Sequence, residues 1–217
     1  MNEKISQDKR LREKDTFDIL DRNEMVTLIE LCDSTINTYI NNEVSKRKYN
    51  KVLSALCIKL ISFTGIVYRK LRQVKISDDI EQFNKICIDG FKIYLPENYS
   101  KQLKTYIKLR NEILERENKQ SEYLFITFEG EQLSKTTSTV SEFLGIVTGR
   151  RDLAGIVKYA IKNMILAGIN DSIIASLTDA GPNIIKQCID DGKYSDKKYW
   201  NAYIDSRLRN IDIFDLV

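Results

Sequence analysis

The chain has no histidine. A zinc site would therefore have to be built from cysteine alone, and the side chain that most often moves protons near neutral pH is missing. Its four cysteines, Cys32, Cys57, Cys87 and Cys188, are far apart, form no Cys-x-x-Cys pair and sit in apolar-periodic segments. They read as reduced core thiols of a cytoplasmic protein, and no metal or other cofactor is expected. Long hydrophobic runs are also missing: Val52 to Phe63 is broken by Lys59 and Ser62 and falls short of the roughly 18 to 20 residues of a membrane span. Met1 to Asp15 is a mixed-charge run without the apolar segment of a secretory signal. A strong charge of one sign is lacking too, since 34 Lys and Arg against 31 Asp and Glu leave a net charge of +3. Charge alone thus makes no case for nucleic acid, and there is no internal repeat.

What is present is enough for a core. A chain of 217 residues, 42% of them hydrophobic, can bury one. Asp21 followed by Glu24 has capping-box spacing and predicts a helix start. Met25, Leu28, Ile29, Cys32, Ile36 and Tyr39 then share one helical face, and Tyr49, Val52, Leu53, Leu56, Leu60 and Phe63 form the stripe of a second helix ending at Gly65. Two apolar runs, Lys85 to Ile88 and Phe91 to Leu95, flank Asp89-Gly90, a pair suited to the positive φ angles of a tight hairpin. Val74 to Ile80 and Tyr123 to Phe128 are expected to add strands. Further helices are predicted from the stripes at Leu103 to Leu114, Val140 to Val147 and Leu153 to Ile165, the last stopping at Gly168, with two shorter ones around Gly181-Pro182. The fold class expected is mostly α with a small antiparallel β-sheet (α+β). It divides into a charged N-terminal segment (1–19), a folded core (20–190) and an aromatic C-terminal tail (191–217).

Three phrases taken in order, one from Thr64-Gly65 to Asp78, one at Phe125-Ile126 with Gly130 and Leu133, and one ending Leu166-Ala167-Gly168-Ile169, together resemble the catalytic domain of tyrosine recombinases, the phage-integrase family. Thr64-Gly65-Ile66-Val67-Tyr68-Arg69-Lys70-Leu71 and its continuation to Asp78 align without a gap on the family phrase Thr-Gly-Leu-Arg-x-x-Glu-Leu-x-x-Leu-x-Trp-x-Asp. Phe125-Ile126 with Gly130 and Leu133 is similar to the family's Leu-Phe and Gly-x-x-Leu turn. Tyr159 to Ile169, ending Leu166-Ala167-Gly168-Ile169, resembles its Ala-Gly-Val helix. The resemblance implies a recombinase-like core in which a tyrosine would attack a DNA phosphodiester, held by two arginines and a lysine or histidine. It also implies that those groups are replaced. Val67 stands for the first arginine and Lys70 for the supporting glutamate; Ala154 and Val157 fall at the His-x-x-Arg pair, Asp179 and Ala180 at Gly-His, and Cys188 or Ile189 at the nucleophile. No catalytic residue is expected, although Lys85 or Lys92 in the hairpin occupies the region of the family's lysine.

The function expected is a recombinase-derived, DNA-binding pseudoenzyme of a mobile or viral genome, acting in maintenance, recombination or regulation in the cytoplasm. In a virus this would be the host cytoplasm. Duplex DNA is the expected partner, with contacts from Arg69, Arg72, Lys75, Lys101, Lys104, Lys108, Arg150, Arg151 and Lys158, and Val67 to Lys75 holds four of the chain's cations without an acid. The alternatives are a protein-binding scaffold of the same fold, which could form a homo-oligomer through the aromatic tail, and a recombinase with relocated catalytic residues. A helix-turn-helix regulator built on Asn170 to Ile189 is a weaker one.

Overall fold

The computed structural model describes residues 19–40, 45–193 and residue 204. The expected charged segment and aromatic tail therefore lie almost wholly outside the described residues.

Helix α1 (Arg22–Tyr39) begins as its sequence dictates: Glu24 N–H donates to Asp21 Oδ1 and Asp21 N–H to Glu24 Oε2, both at 2.8 Å. Each bond satisfies an amide that the helix itself leaves without a partner. Met25, Leu28, Cys32 and Ile36 face inward onto α2 (Lys46–Thr64). The stripe expected along α2 is buried, but burial runs all the way round from Val52 to Ile61. Helix α2 is thus the axis of the core, with α1 and most of the later helices against it. That environment encloses even Lys59, 7% exposed.

After α2 come two short helices, α3 (Tyr68–Leu71) and α4 (Asp79–Phe83), then β1 (Lys85–Ile88) and β2 (Phe91–Tyr94). The strands pair antiparallel, Lys85 with Tyr94 and Ile88 with Phe91. Asp89 (φ 46°) and Gly90 (φ 82°) supply the two positive-φ positions that a two-residue turn requires. Helices α5 (Glu97–Arg116), α6 (Ser138–Thr148), α7 (Ala154–Leu166), α8 (Asp171–Thr178) and α9 (Pro182–Lys193) complete the described chain. Helix α7 stops at Gly168 (φ 80°), where Ile169 N–H bonds Met164 O and Gly168 N–H bonds Ile165 O, the paired bonds of a Schellman stop.

The sheet is smaller than the apolar runs suggest. Val74 to Ile80 and Tyr123 to Phe128 form no strands; the first contributes one bridge, Lys75 to Tyr123, before turning into α4. In the second segment Leu124 N–H bonds Val74 O and Thr127 N–H bonds Glu131 O, and side chains take up several of the remaining backbone groups. The Tyr49 hydroxyl donates to Ile126 O (3.0 Å), Ile126 N–H donates to the Tyr106 hydroxyl (3.2 Å), and the Arg110 guanidinium donates to Tyr123 O and Ser121 O. With these groups already bonded, the segment sits against α2 and α5 without a ladder.

Candidate nucleic-acid interface

The junction that positions the basic run is Thr64-Gly65. Gly65 caps α2 at φ 65°, and a Cβ there would lie 3.1 Å from Thr178 Cγ2 and 3.4 Å from Ala160 Cβ. Glycine therefore meets two needs at once, left-handed backbone and close approach to α7 and α8. Two residues on, Val67 N–H donates to Thr178 O at 2.9 Å, fastening the start of α3 to the end of α8.

Helix α3 then directs its cations to different partners. Arg69 places Nε (2.9 Å) and Nη2 (2.6 Å) on the single Oδ2 of Asp179, which caps α8 at φ 59°. The guanidinium side chain is 71% exposed and the carboxylate 38%. Lys70 is buried, and its ammonium donates to Ser176 O (2.5 Å) and pairs with Asp89 Oδ2 (2.6 Å) at the tip of the hairpin. Arg72 turns inward, donating to Leu133 O (3.0 Å) and Gln132 Oε1 (3.1 Å), while Gln132 Nε2 donates back to Arg72 O. It clasps two loops and has a structural part to play. Lys75 is exposed beside Glu122 at 2.9 Å, and that hydrogen bond and charge raise its pKa above the ordinary lysine value.

The other candidates lie on two further surfaces. Lys101, Lys104 and Lys108 follow one another along a single face of α5, with Lys101 held to Glu97 one turn earlier (2.7 Å). That pair lowers the Glu97 pKa. Arg150 and Arg151 occupy the α6–α7 connection: Arg150 lies 3.5 Å from Asp152, and exposed Arg151 packs its stem over Gly145. Lys158, on α7, is 9% exposed. So α3 and the end of α8 come together, α5 presents a basic stripe, and Arg72 and Lys158 face the interior.

Among the positions the resemblance assigns to catalysis, Val157, Ala180 and Cys188 are buried core residues, while Val67 and Ala154 are half-buried. The Cys188 thiol donates to Lys158 O. Lys85 lies 4.3 Å from the Tyr94 ring centroid, and Lys92 pairs with Asp79 at 3.0 Å, which raises its pKa. No cluster of three or more His, Cys, Asp or Glu able to hold a metal occurs among the described residues, and no helix among them is long and apolar enough to cross a membrane. Sequence reasoning missed the two acids that hold the α3 cations, Asp89 and Asp179. Both have positive φ, but only the tertiary contact reveals their partners.

No protein-family model matches the chain, and no curated protein does either. Among solved structures, a crystal structure of XerA recombinase matches it with a TM-score of 0.57 and 15% sequence identity, covering 89% of this chain and 64% of that one. The fold is recombinase-like. The chain spans somewhat less than two thirds of the XerA chain that it matches. Within the recombinase-like core, two stretches that the sequence resemblance assigns to one site do meet: Val67 is hydrogen-bonded to the end of α8, and the next exposed cation of α3, Arg69, holds Asp179.

Proposed function

We propose that this chain is a DNA-binding protein derived from a tyrosine recombinase that neither cleaves nor transfers strands, and that it serves the maintenance, recombination or regulation of a mobile or viral genome. The observation that carries this reading is the Arg69–Asp179 pair. A recombinase needs bare guanidinium groups around the scissile phosphate, and losing one such donor costs about 3 to 4 kcal/mol of transition-state stabilisation. Here the arginine at the junction already holds a carboxylate, and the neighbouring position 67 is valine. Binding tolerates this arrangement far better than chemistry does. Exposed ion pairs are worth about 0 to 1 kcal/mol, so a phosphate can compete for Arg69, Lys75 and Lys101, with Lys104, Lys108, Arg150 and Arg151 as further contacts. Arg72 and Lys158 support the fold in this reading. Residues 20–190 form the DNA-binding unit, and the aromatic tail from 191 joins copies of the chain.

Two assays test it. Duplex DNA should bind at low salt with affinity that falls steeply as salt rises; undetectable or salt-independent binding refutes the reading. Incubation with a nicked suicide substrate should yield no covalent protein–DNA adduct, and an adduct would establish relocated catalysis. A scaffold that binds protein is the second reading, favoured by the inward engagement of Lys70, Arg72 and Arg110.

A further inference from the structure

A groove of about 470 Å³ lies between α1, α2 and the start of α5, on residues that none of the DNA contacts use. Its walls are apolar: Val26 and Ile29 of α1, Phe63 of α2, Tyr99 of α5 and Tyr159 of α7. Val26 is 46% exposed, so part of this wall faces solvent. The floor carries an ion pair. Lys59, on the fully buried stretch of α2, donates to Asp33 Oδ1 and to Gln102 Oε1 (2.7 Å).

The polar groups are unevenly distributed. Asp33 Oδ1 also accepts from Gln102 Nε2 (2.8 Å) and Asn98 Nδ2 (3.1 Å), so three donors converge on one oxygen. Among the described residues, no donor reaches Oδ2. Glu30, one turn before Asp33 on α1, lines the same groove and is exposed. Two carboxylates against one ammonium leave the groove with one net negative charge. The pair is weak evidence of a purely stabilising role, since an apolar residue of similar volume at a buried ion-pair position is often neutral or stabilising.

We propose that this groove docks a segment of another protein that presents an aromatic or branched aliphatic side chain and, within one helical turn of it, a lysine or arginine. The apolar anchor packs against Val26, Ile29, Phe63 and Tyr159, and the cation reaches Asp33 Oδ2 and Glu30. Volume and lining suit such an anchor, because binding pockets of this size are mostly apolar with a few placed polar groups. Charge complementarity fixes the sign of the partner, and the same carboxylates repel nucleic acid and acidic peptides.

The test uses the full chain and a displayed library of random 12-residue peptides, with enriched peptides synthesised and measured by fluorescence anisotropy. Two surface variants, Val26→Glu and Glu30→Gln, leave the Lys59–Asp33 pair intact, and their folding is checked by circular dichroism. Enriched peptides are expected to share an apolar residue followed within four positions by Lys or Arg. Val26→Glu should weaken them about tenfold or more, and Glu30→Gln about threefold with a shallower salt dependence. The proposal is overturned by no enrichment, by acidic consensus peptides, or by binding that Val26→Glu leaves unchanged. Displacement of the peptides by duplex DNA would overturn it in favour of a nucleic-acid surface. Because the groove shares no residue with the DNA contacts, loss of DNA binding would leave this result unaffected.

Discussion

Replacing Asp179 by asparagine removes one negative charge from the α3–α8 junction and little else. Asparagine accepts the left-handed backbone (φ 59°) as readily as aspartate does, so the α8 cap is retained. Both partners are substantially exposed, at 71% and 38%, so water screens the pair and the stability lost is below about 1 kcal/mol. The effect on DNA is larger in proportion. With Asp179 gone, a phosphate taking its place on Arg69 no longer faces a carboxylate at about 5 Å, worth about 0.8 kcal/mol at the dielectric of water, or roughly a fourfold gain in affinity. In the parent the carboxylate offsets the Arg69 charge that the phosphate meets; without it Arg69 acts as a full neutralising charge, so the slope of log affinity against log salt steepens by up to about 0.9. Anisotropy of a labelled duplex across a salt series measures both quantities. If Asp179→Asn binds no tighter and its slope equals that of the parent, Arg69 does not face DNA and the argument from the junction fails.

Gly65→Ala and Gly149→Ala separate strain from crowding. Both glycines have positive φ, costing an alanine about 1 to 2 kcal/mol, but only a Cβ at Gly65 meets a neighbour, Thr178 Cγ2 at 3.1 Å. Gly65→Ala should therefore lower the melting temperature more, at about 2 to 4 °C per kcal/mol, and equal losses would remove the close-approach argument. Thiol labelling of the folded protein should reach half-buried Cys87 before Cys32, Cys57 or Cys188, as peptide mass mapping would read; labelling of Cys57 first would contradict its burial. Burial pushes Cys32 up to about 12 from 9.0 and Tyr68 up to about 12 from 10.0. Both groups are neutral below those ordinary values, so their contribution is complete near neutral pH and is lost as pH rises from about 9 toward 12. The urea midpoint should hold between pH 7 and about 8.5 and fall by pH 10.5, whereas a flat profile would refute the assignment.

Local signals in the sequence were those whose partners lie within a few residues. The Asp21–Glu24 box, the Asp89-Gly90 turn and the Gly168 stop each depend on bonds spanning five residues or fewer, and each formed as expected. The α2 stripe pointed to a helix with one apolar face, because Lys59 and Ser62 look like breaks in it; tertiary partners at Asp33 and Gln102 absorb the lysine, and the Ser62 hydroxyl donates to Ile58 O in its own helix. Tyr123 to Phe128 resembled a strand because it is a short apolar run rich in aromatic and branched residues, yet two tyrosine hydroxyls and Arg110 compete for its backbone. The basic run was visible as a run, but the orientation of each cation was not: Arg69 on α3 and Arg72 at its C-cap, three residues apart, bond to residues 110 and 60 positions away. Arg110 lies on the inward spacing set by Leu103, Tyr106 and Ile107, and that register was the available hint of its burial.

Lys70 joins three parts of the molecule through one nitrogen: its own helix, the Ser176 carbonyl of α8 and the Asp89 carboxylate of the hairpin tip. Hairpin and helix therefore share a common reference point, and displacing either one strips a buried ammonium of half its partners. Neutralising that nitrogen, by methionine substitution or by acylation, would uncouple the two, so that the hairpin tip could move without being registered at the end of α8.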